Sequence, residues 1–257
     1  MNIASNKENR NMNTECKKCS SSKYVKNGNI MGMQRYKCKE CVCNFTSTKL
    51  RGCSPEMKAL AVLLYSMGKS SFRWLGKLFK VAHTSVYKWI ILYAKKIPRP
   101  TVPEELREVE IDEMWHFVDS KKNKLWIWKA YSRELKRVVA WVVGKRNVTT
   151  FRKLWKIISR DNCTYYTDAW SVYSEVIPRH QHVVGKQHTL SIESNNSNTR
   201  HRIARMTRKT KVVSKSEEVV DLTIKLWVHF EDNNNFLSEQ GNFISILWQH
   251  SVCVYRY

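Results

Sequence analysis

The chain has 257 residues, of which 45 are basic and 22 acidic, so its formal net charge is +23. The first hundred residues hold 20 basic and only 4 acidic side chains, which predicts a polyanionic partner, most simply nucleic acid. No apolar run reaches the roughly 18–20 residues of a membrane span, and the polar N-terminus does not have the pattern of a signal peptide. We therefore expect a cytoplasmic, nucleoid-associated protein without a membrane partner.

A cysteine module at 14–50 follows a polar, asparagine-rich tail at 1–13, which we expect to be disordered. Four cysteines form two C-x2-C pairs with 18 residues between them: Cys16, Cys19, Cys38 and Cys41. Two such pairs can supply four thiolates to one tetrahedral zinc ion. The "KNG" at 26–28 predicts a hairpin turn between the pairs. The segment is therefore predicted to be a zinc ribbon that binds Zn²⁺.

Residues 51–97 have helical periodicity and predict a helix-turn-helix DNA-binding domain, with 84–94 as its recognition helix. Thr84 or Ser85 is expected to cap that helix. Lys80 stands where such motifs often have a turn glycine. The side chains expected to face a DNA groove are His83, Thr84, Ser85, Tyr87 and Lys88. The alternative is an ordinary helical hairpin with a solvated basic face.

The next segment, 98–106, contains three prolines and is predicted to be a linker. Apolar residues then recur with a period of two, which predicts strands at 107–118, 124–133 and 136–145. The elements predicted after them are a helix at about 149–159, a strand at about 163–168, a short helix, a strand near 180–185, and helices at about 189–206 and 215–230. A capping box from Ser214 to Glu217 is expected to open the last helix. This order indicates a mixed α/β sheet, and the whole chain is predicted to be multidomain α+β.

Two of the predicted strands carry carboxylates where an isolated ionised group is costly. In "EVEIDEMW", Glu110 and Asp112 point to one face of the strand and Glu113 points to the other. Bound divalent cations would remove both the desolvation cost and the mutual repulsion of such acids. By spacing alone, acids of this kind are more often solvated or salt-bridged, and Glu113 competes with Asp112 as the functional residue.

Two further acids complete the candidate set. Asp168 ends the apolar strand "TYYTD", and Glu193 lies on a predicted helix that carries Arg200 seven residues later, on the same face. Two Mg²⁺ ions held by such carboxylates can activate an attacking oxygen and stabilise a leaving oxygen in phosphoryl transfer. This chemistry is consistent with a DNA partner.

Six blocks of this sequence together resemble the transposase of the insertion-sequence-one family: "DEMWHFV", "KNKLWIWKAYSR", "VVAWVVGKR", "YYTDAW", "QHVVGKQHT" and "IESNNSNTRHRIARMTRKT". The resemblance extends over about 14–230 and implies an RNase H-like DDE catalytic domain at 107–232. The residues that it assigns to the catalytic site are Asp112, Asp168, Glu193 and Arg200, with Asn196 in a supporting position. The three acids would bind Mg²⁺ or Mn²⁺.

The resemblance implies a homo-oligomeric enzyme that binds the double-stranded ends of an insertion element. It would cleave a strand with metal-activated water and join the freed 3′-hydroxyl to target DNA. The basic stretch 200–211 is predicted to follow DNA through Arg202, Arg205 and Arg208, and its alternative is a solvated helix. The alternative functions are a non-catalytic DNA-binding regulator, another RNase H-like nuclease, and a decayed transposase remnant, since the tail 233–257 is unmatched.

Overall fold

The structure is a computed structural model and describes residues 14–47, 53–232 and 235–236. These residues form two compact units that divide between Cys53 and Ser54. The predicted disordered tail and nearly all of 233–257 lie outside the described residues. Within the described ranges, no helix combines the length and apolar character required to cross a membrane.

The first unit contains a three-stranded antiparallel sheet in the order β1-β2-β3, with β1 at Tyr24–Ile30, β2 at Met33–Cys38 and β3 at Asn44–Thr46. The β1–β2 turn lies at Met31 and Gly32, whose φ angles are 49° and 74°, as a tight hairpin turn with two left-handed residues requires. The turn predicted at 26–28 is therefore wrong. Gly28, with φ of 71°, instead lies where the register of β1 shifts.

The second unit is built on a five-stranded mixed sheet in the order β6-β5-β4-β7-β8. Its strands are β4 (Glu108–Phe117), β5 (Lys124–Ser132), β6 (Arg137–Gly144), β7 (Thr164–Thr167) and β8 (His182–Val184). Strands β4, β5 and β6 pair antiparallel, whereas β7 runs parallel to β4 and β8 parallel to β7. Each strand end lies within two residues of its predicted position. The α+β class is confirmed.

In the described part of the chain, seven α-helices accompany the sheets: α1 (Pro55–Met67), α2 (Phe72–Leu78), α3 (His83–Lys96), α4 (Val148–Ile158), α5 (Ser171–Val176), α6 (Leu190–Arg202) and α7 (Glu217–Glu231). One face of the five-stranded sheet packs on α4 and α5, where Ile111 and Trp128 meet Phe151. The other face packs on α7, where Met114 meets Ile224. Alternate residues of β4 therefore face different helices, which separates neighbouring acids on that strand.

Two predicted helix starts differ from the structure. Helix α7 is capped by Ser216, whose Oγ accepts from the Val219 amide at 3.2 Å. The expected cap, Ser214, is buried instead, with its Oγ 2.8 Å from His116 Nε2. Helix α3 begins at His83 without a side-chain cap, so the expected caps fall inside its first turn. In both cases the sequence offers a second possible capping residue within one or two positions of the residue at which the helix starts.

Helices α1, α2 and α3 form a bundle that packs against the side of α7 carrying Leu222, Leu226 and Phe230. The connection from α3 to β4 is irregular but anchored. Within it, Arg99 donates to both carboxylate oxygens of Asp221, at 2.7 and 2.6 Å, and stacks 4.5 Å from the centre of the Trp141 ring. In the α2–α3 turn, Lys80 has φ of 53°, the left-handed conformation that favours glycine. Lys80 therefore differs from the usual turn glycine in its side chain, whereas its backbone has the conformation that a glycine would adopt.

Candidate catalytic and DNA-binding sites

A cavity of about 830 Å³ opens where β4 meets α6. Asp112 on β4 and Glu193 on α6 both line it, together with Asn196. Basic side chains surround these groups: Lys69, Lys186, Arg200 and Arg208. The cavity therefore combines carboxylates with cations, an arrangement that suits a metal site beside a phosphate backbone.

Asp112 is the strand acid on the α6 side of the sheet. Its Oδ2 accepts a hydrogen bond of 2.8 Å from Asn196 Nδ2. Burial, followed by repulsion from Glu113, raises the pKa of the Asp112 carboxyl to about 6, and the charge of Asp168 adds to this effect. A raised pKa indicates that positive charge near this carboxylate is too weak to offset its desolvation.

Asp168 follows β7, the strand that runs parallel beside β4. Glu110 on β4 is level with Tyr166 on β7, and each aspartate lies two residues beyond that pair. Neighbouring strands are about 4.8 Å apart, so the register brings Asp112, in the middle of β4, level with Asp168, which directly follows the carboxyl end of β7. Asp168 is half-buried, and its Oδ1 accepts from the Trp170 amide at 3.0 Å.

Glu193 lies in the first turn of α6 and is exposed. Thr189 Oγ1 is 3.4 Å from its Oε1. The three acids do not form a closed cage: in the part of the chain that is described, only a cysteine cluster has three or more ligand atoms within 4.8 Å of one another. The structure therefore places Glu193 and Asp112 at one cavity and Asp168 directly after the strand beside Asp112, and the three carboxylates are not all within 4.8 Å of one another.

Glu113 also lines the cavity, but both of its carboxylate oxygens already have partners on the opposite face of β4. Its Oε1 accepts from Arg146 Nε at 2.6 Å, and its Oε2 accepts from the Tyr173 hydroxyl at 2.5 Å. The Arg146 guanidinium lies between the rings of Trp126 and Trp170, 4.8 and 4.2 Å from their centres. Both oxygens of Glu113 thus have strong donors, which favours Asp112 as the strand acid available to a ligand.

Glu110, which shares a face with Asp112, anchors the helix that carries Glu193. It is 2% exposed; its Oε1 accepts from Arg133 Nε at 2.8 Å and its Oε2 from the Ile192 amide at 2.9 Å. A carboxylate at a helix N-terminus satisfies a free amide and is favoured by the helix dipole. The sequence pattern showed that Glu110 and Asp112 share a face, but it did not reveal this role.

Lys129 on β5 is a buried group that the sequence analysis missed. It is level with Asp112 in the β4–β5 register, and its Nζ donates to Asn195 Oδ1 at 2.9 Å and to Thr199 Oγ1 at 2.7 Å. Burial lowers the pKa of this ammonium to about 7. Asn195 Nδ2 in turn donates to Glu231 on α7. The signal in the sequence was a single charge inside the apolar run "LWIWKAY".

The basic residues predicted around 200–208 have different environments. Arg200 is half-buried and donates to the carbonyl oxygens of Trp115 and Met206, at 2.9 and 3.1 Å. Arg202 and Arg208 are exposed. Arg205, the third residue predicted to follow DNA, is only 3% exposed. The reason is that α6 ends before it and a 3-10 turn directs its side chain inward.

The recognition helix predicted at 84–94 corresponds to α3. One face of α3 is buried in the bundle through Val86, Ile90 and Ala94. The candidate groove-facing residues lie elsewhere on the helix: His83, Thr84, Tyr87 and Lys88 are exposed, and Ser85 is half-buried. The structure therefore leaves this set open to a ligand.

The four predicted cysteines cluster in the first unit: Cys16, Cys19, Cys38 and Cys41 have Sγ atoms within 4.8 Å of one another. The Sγ atoms of Cys16 and Cys41 are 3.5 Å apart, and those of Cys19 and Cys38 are 3.6 Å apart. A tetrahedron with zinc–sulfur distances of about 2.3 Å has edges of about 3.8 Å. The thiols therefore fit one zinc ion, and the neighbouring Cys43 is outside the set.

Comparison with known proteins defines the class as a transposase, because the family described as IS1 transposase matches residues 106–235. This match covers half of the chain, and the chain belongs to the IS1 transposase family. The family resemblance seen in the sequence is thereby confirmed.

Two relatives show the extent of the similarity. The chain is 37% identical over 120 residues to the insertion element iso-IS1n protein InsB of Shigella dysenteriae, covering 46% of this chain and 92% of that protein. It is 38% identical over 116 residues to the insertion element IS1 2 protein InsB of Escherichia coli strain K12, covering 45% and 70%.

Among solved structures, a chain in the cryoEM structure of a simian T-cell lymphotropic virus intasome in complex with PP2A regulatory subunit B56 gamma aligns with a TM-score of 0.33. The alignment has 12% identity and covers 66% of this chain and 68% of that chain. This score is too low to bear on the fold.

Proposed function

We propose that the chain is a DDE-type DNA transposase that binds the ends of an insertion element, cleaves a strand and joins it to target DNA. The observation that carries this proposal is the alignment of Asp112 on β4 with Asp168 directly after the parallel strand β7, together with a cavity that Asp112 and Glu193 both line. The strand order, three antiparallel strands followed by two parallel ones at the other edge, supports an RNase H-like architecture for residues 107–232.

The donor set suits Mg²⁺ or Mn²⁺, which prefer carboxylate oxygens. The raised pKa of Asp112 indicates a carboxylate without sufficient positive charge nearby. Beside it, the buried Oδ1 of Asn196 has no hydrogen-bond partner. Asp112, Asp168 and Glu193 would hold the ions, which when bound make water a stronger nucleophile and stabilise a leaving oxygen.

The protein's own residues would hold this geometry and the DNA. Glu110 fixes the start of α6 against β4, and Lys129 fixes its middle through Asn195. Arg200 is the predicted basic partner of the acids; its two bonds to backbone carbonyls would keep it at the cavity wall, where a guanidinium can contact phosphate. The basic rim would attract the DNA backbone to the acids.

Binding of element ends is proposed for the two N-terminal modules. Zn²⁺ at the four cysteines would stabilise a ribbon at 14–50, whose aromatic core is small. A helix-turn-helix domain at 51–97, joined by 98–106 to the catalytic domain, would read DNA with α3. The proposed contacts on this side of the chain are His83, Thr84, Ser85, Tyr87 and Lys88, with Arg202 and Arg208 following the backbone. The active form would be a homo-oligomer on DNA.

A Mg²⁺-dependent assay with labelled DNA tests the proposal, using the end repeat of the element that encodes the chain. We expect strand cleavage followed by 3′-end joining. Asp168→Asn should abolish both steps and leave DNA binding unchanged, whereas the matched change at an exposed acid, Asp161→Asn, should leave both intact. Cutting without joining would identify a nuclease, and binding without cutting would identify a regulator or an inactive remnant. Joining by Asp168→Asn would remove the catalytic assignment.

A further inference from the structure

A second cavity, of about 610 Å³, lies between the α2–α3 pair and the segment 211–215. Apolar side chains form part of its wall, including Phe72 and Tyr87. Four cations complete it: Arg73, Arg205, Lys211 and Lys215. No acidic residue is found among the described residues that line this cavity, so its walls are strongly electropositive.

Arg205 is the unusual member of this set, because its guanidinium is buried without a counter-charge. Its Nε has no hydrogen-bond partner, and its Nη1 donates to Ser214 Oγ at 3.2 Å. The group lies against the rings of Phe72 and Tyr65, 5.2 and 5.6 Å from their centres, which compensates only part of its desolvation. Within the described residues no carboxylate pairs with it. A buried charge of this kind is costly until an anion joins it.

The neighbouring cations are not neutralised either. Arg73 and Lys211 are exposed and form no ion pair with any described residue. Lys215 lies 3.0 Å from Asp119, but both side chains are largely solvated, so this pair contributes little. The cavity thus has several donors that converge on one volume, with the most deeply buried donor still unsatisfied.

We propose that this cavity binds a phosphate group of the DNA backbone, next to the groove that α3 reads. The inference rests on the proposed DNA-binding role of α3, because His83 and Tyr87 of that helix line the same cavity. The apolar wall fits the sugar or base attached to the phosphate. One phosphate would then contact both the reading helix and the segment that follows α6, the helix carrying Glu193.

The first test measures the salt dependence of binding to a blunt DNA duplex of arbitrary sequence. Each neutralised phosphate contributes roughly 0.9 to the slope of log affinity against log salt. Arg73→Ala and Lys211→Ala should each make the slope less steep by less than about 1, and the double variant should reduce it by no more than about 1 in total, because both residues contact one phosphate. Lys136→Ala, an exposed lysine outside the cavity, is the control. Unchanged slopes, or a loss of about 2 in the double variant, which would mean two separate phosphates, would overturn the shared site.

The second test uses Arg205→Met, which keeps the apolar stem and removes the buried charge. Without an anion, its Tm should equal or exceed that of the unmodified chain, because an uncompensated charge has been removed. Its affinity for the duplex should fall about tenfold, the usual effect of losing one charge-assisted hydrogen bond. A lower Tm with unchanged affinity would show a purely structural arginine and overturn the proposal.

The third test distinguishes sources of phosphate. At constant ionic strength, inorganic phosphate should raise the Tm of the unmodified chain more than chloride does, and should not do so for Arg205→Met. A response to phosphate without any slope change for DNA would overturn the DNA source. None of these measurements requires strand joining. Altered slopes in a chain that joins no DNA would therefore refute only the catalytic proposal, whereas joining with unaltered slopes would refute only this site.

Discussion

Lys129 offers the sharpest test of how the chain holds α6 in place. Its ammonium is completely buried and donates to Asn195 Oδ1 and Thr199 Oγ1, and Asn195 passes a hydrogen bond on to Glu231. Burial lowers the pKa of Lys129 to about 7 and raises that of Glu231 to about 7. Replacing Lys129 with Met removes two charge-assisted hydrogen bonds and leaves Glu231 without its cation. We expect the free energy of unfolding to fall by about 3–5 kcal/mol.

The matched experiment is a double-mutant cycle measured by urea unfolding. Glu231→Gln alone should also destabilise the chain, because Lys129 then lacks its anion, but Lys129→Met combined with Glu231→Gln should recover about 2 kcal/mol or more relative to additivity. DNA cleavage should decrease with the single variants, since α6 carries Glu193. Additive losses, or a loss below about 1 kcal/mol for Lys129→Met, would show that Lys129 is not stabilised by its hydrogen bonds to α6 and by the charge of Glu231, and would refute the reasoning.

Three further predictions concern residues outside the hydrogen-bonded set of Lys129, Asn195 and Glu231. Burial, and then the charges of Arg205 and Arg200, lower the pKa of His116 from 6.5 to about 4. The neutral imidazole therefore contributes fully to the free energy of unfolding above pH 6.5, and about 3 kcal/mol of that free energy is lost as the pH falls toward 4. His116→Asn should flatten this part of a pH–stability curve relative to the unmodified chain. Glu110→Gln should slow cleavage with a loss of about 1–3 kcal/mol in stability, while leaving the affinity for DNA unchanged in a binding titration. A zinc chelator should unfold the first unit, as seen by loss of its amide protection in hydrogen exchange, and leave the amides of β4 protected; equal loss in both units would contradict a zinc site confined to the cysteines.

The strands of the second unit were predictable because their apolar residues alternate over long runs. Turns and helix caps were predicted wrongly where two residues of the same type, each able to form the feature, lie close together in the sequence. Gly28 and Gly32 could each supply a left-handed residue, and only the pairing of β1 with β2 decides which one forms the turn. Ser214 and Ser216 could each cap α7, and the burial of Ser214 against His116 depends on a residue almost a hundred positions away. Such long-range contacts leave no periodic trace in the sequence.

The candidate site shows the same limit. Alternation separates Asp112 from Glu113, but it cannot tell which face of β4 receives α6. That choice depends on Arg146 and Tyr173 covering Glu113 on the other side. The burial of Arg205 could not be predicted for a related reason, because a basic run such as "RHRIARMTRKTK" gives no indication of where the helix ends and the chain turns inward.

Helix α7 links the two functions proposed for the second unit. On one side, Val220, Ile224 and Trp227 pack on the five-stranded sheet. On the other, Leu222 and Leu226 are buried only because the helical bundle covers them. The region matched by the family ends just after α7, whereas the bundle precedes the matched residues. A helix that is apolar on two sides needs both partners to exclude water, so the packing of α7 requires the bundle that carries α3 to stay attached to the sheet that carries Asp112. Helix α3, the proposed reading helix, and the proposed catalytic acids would then move as one body if the chain binds DNA as proposed.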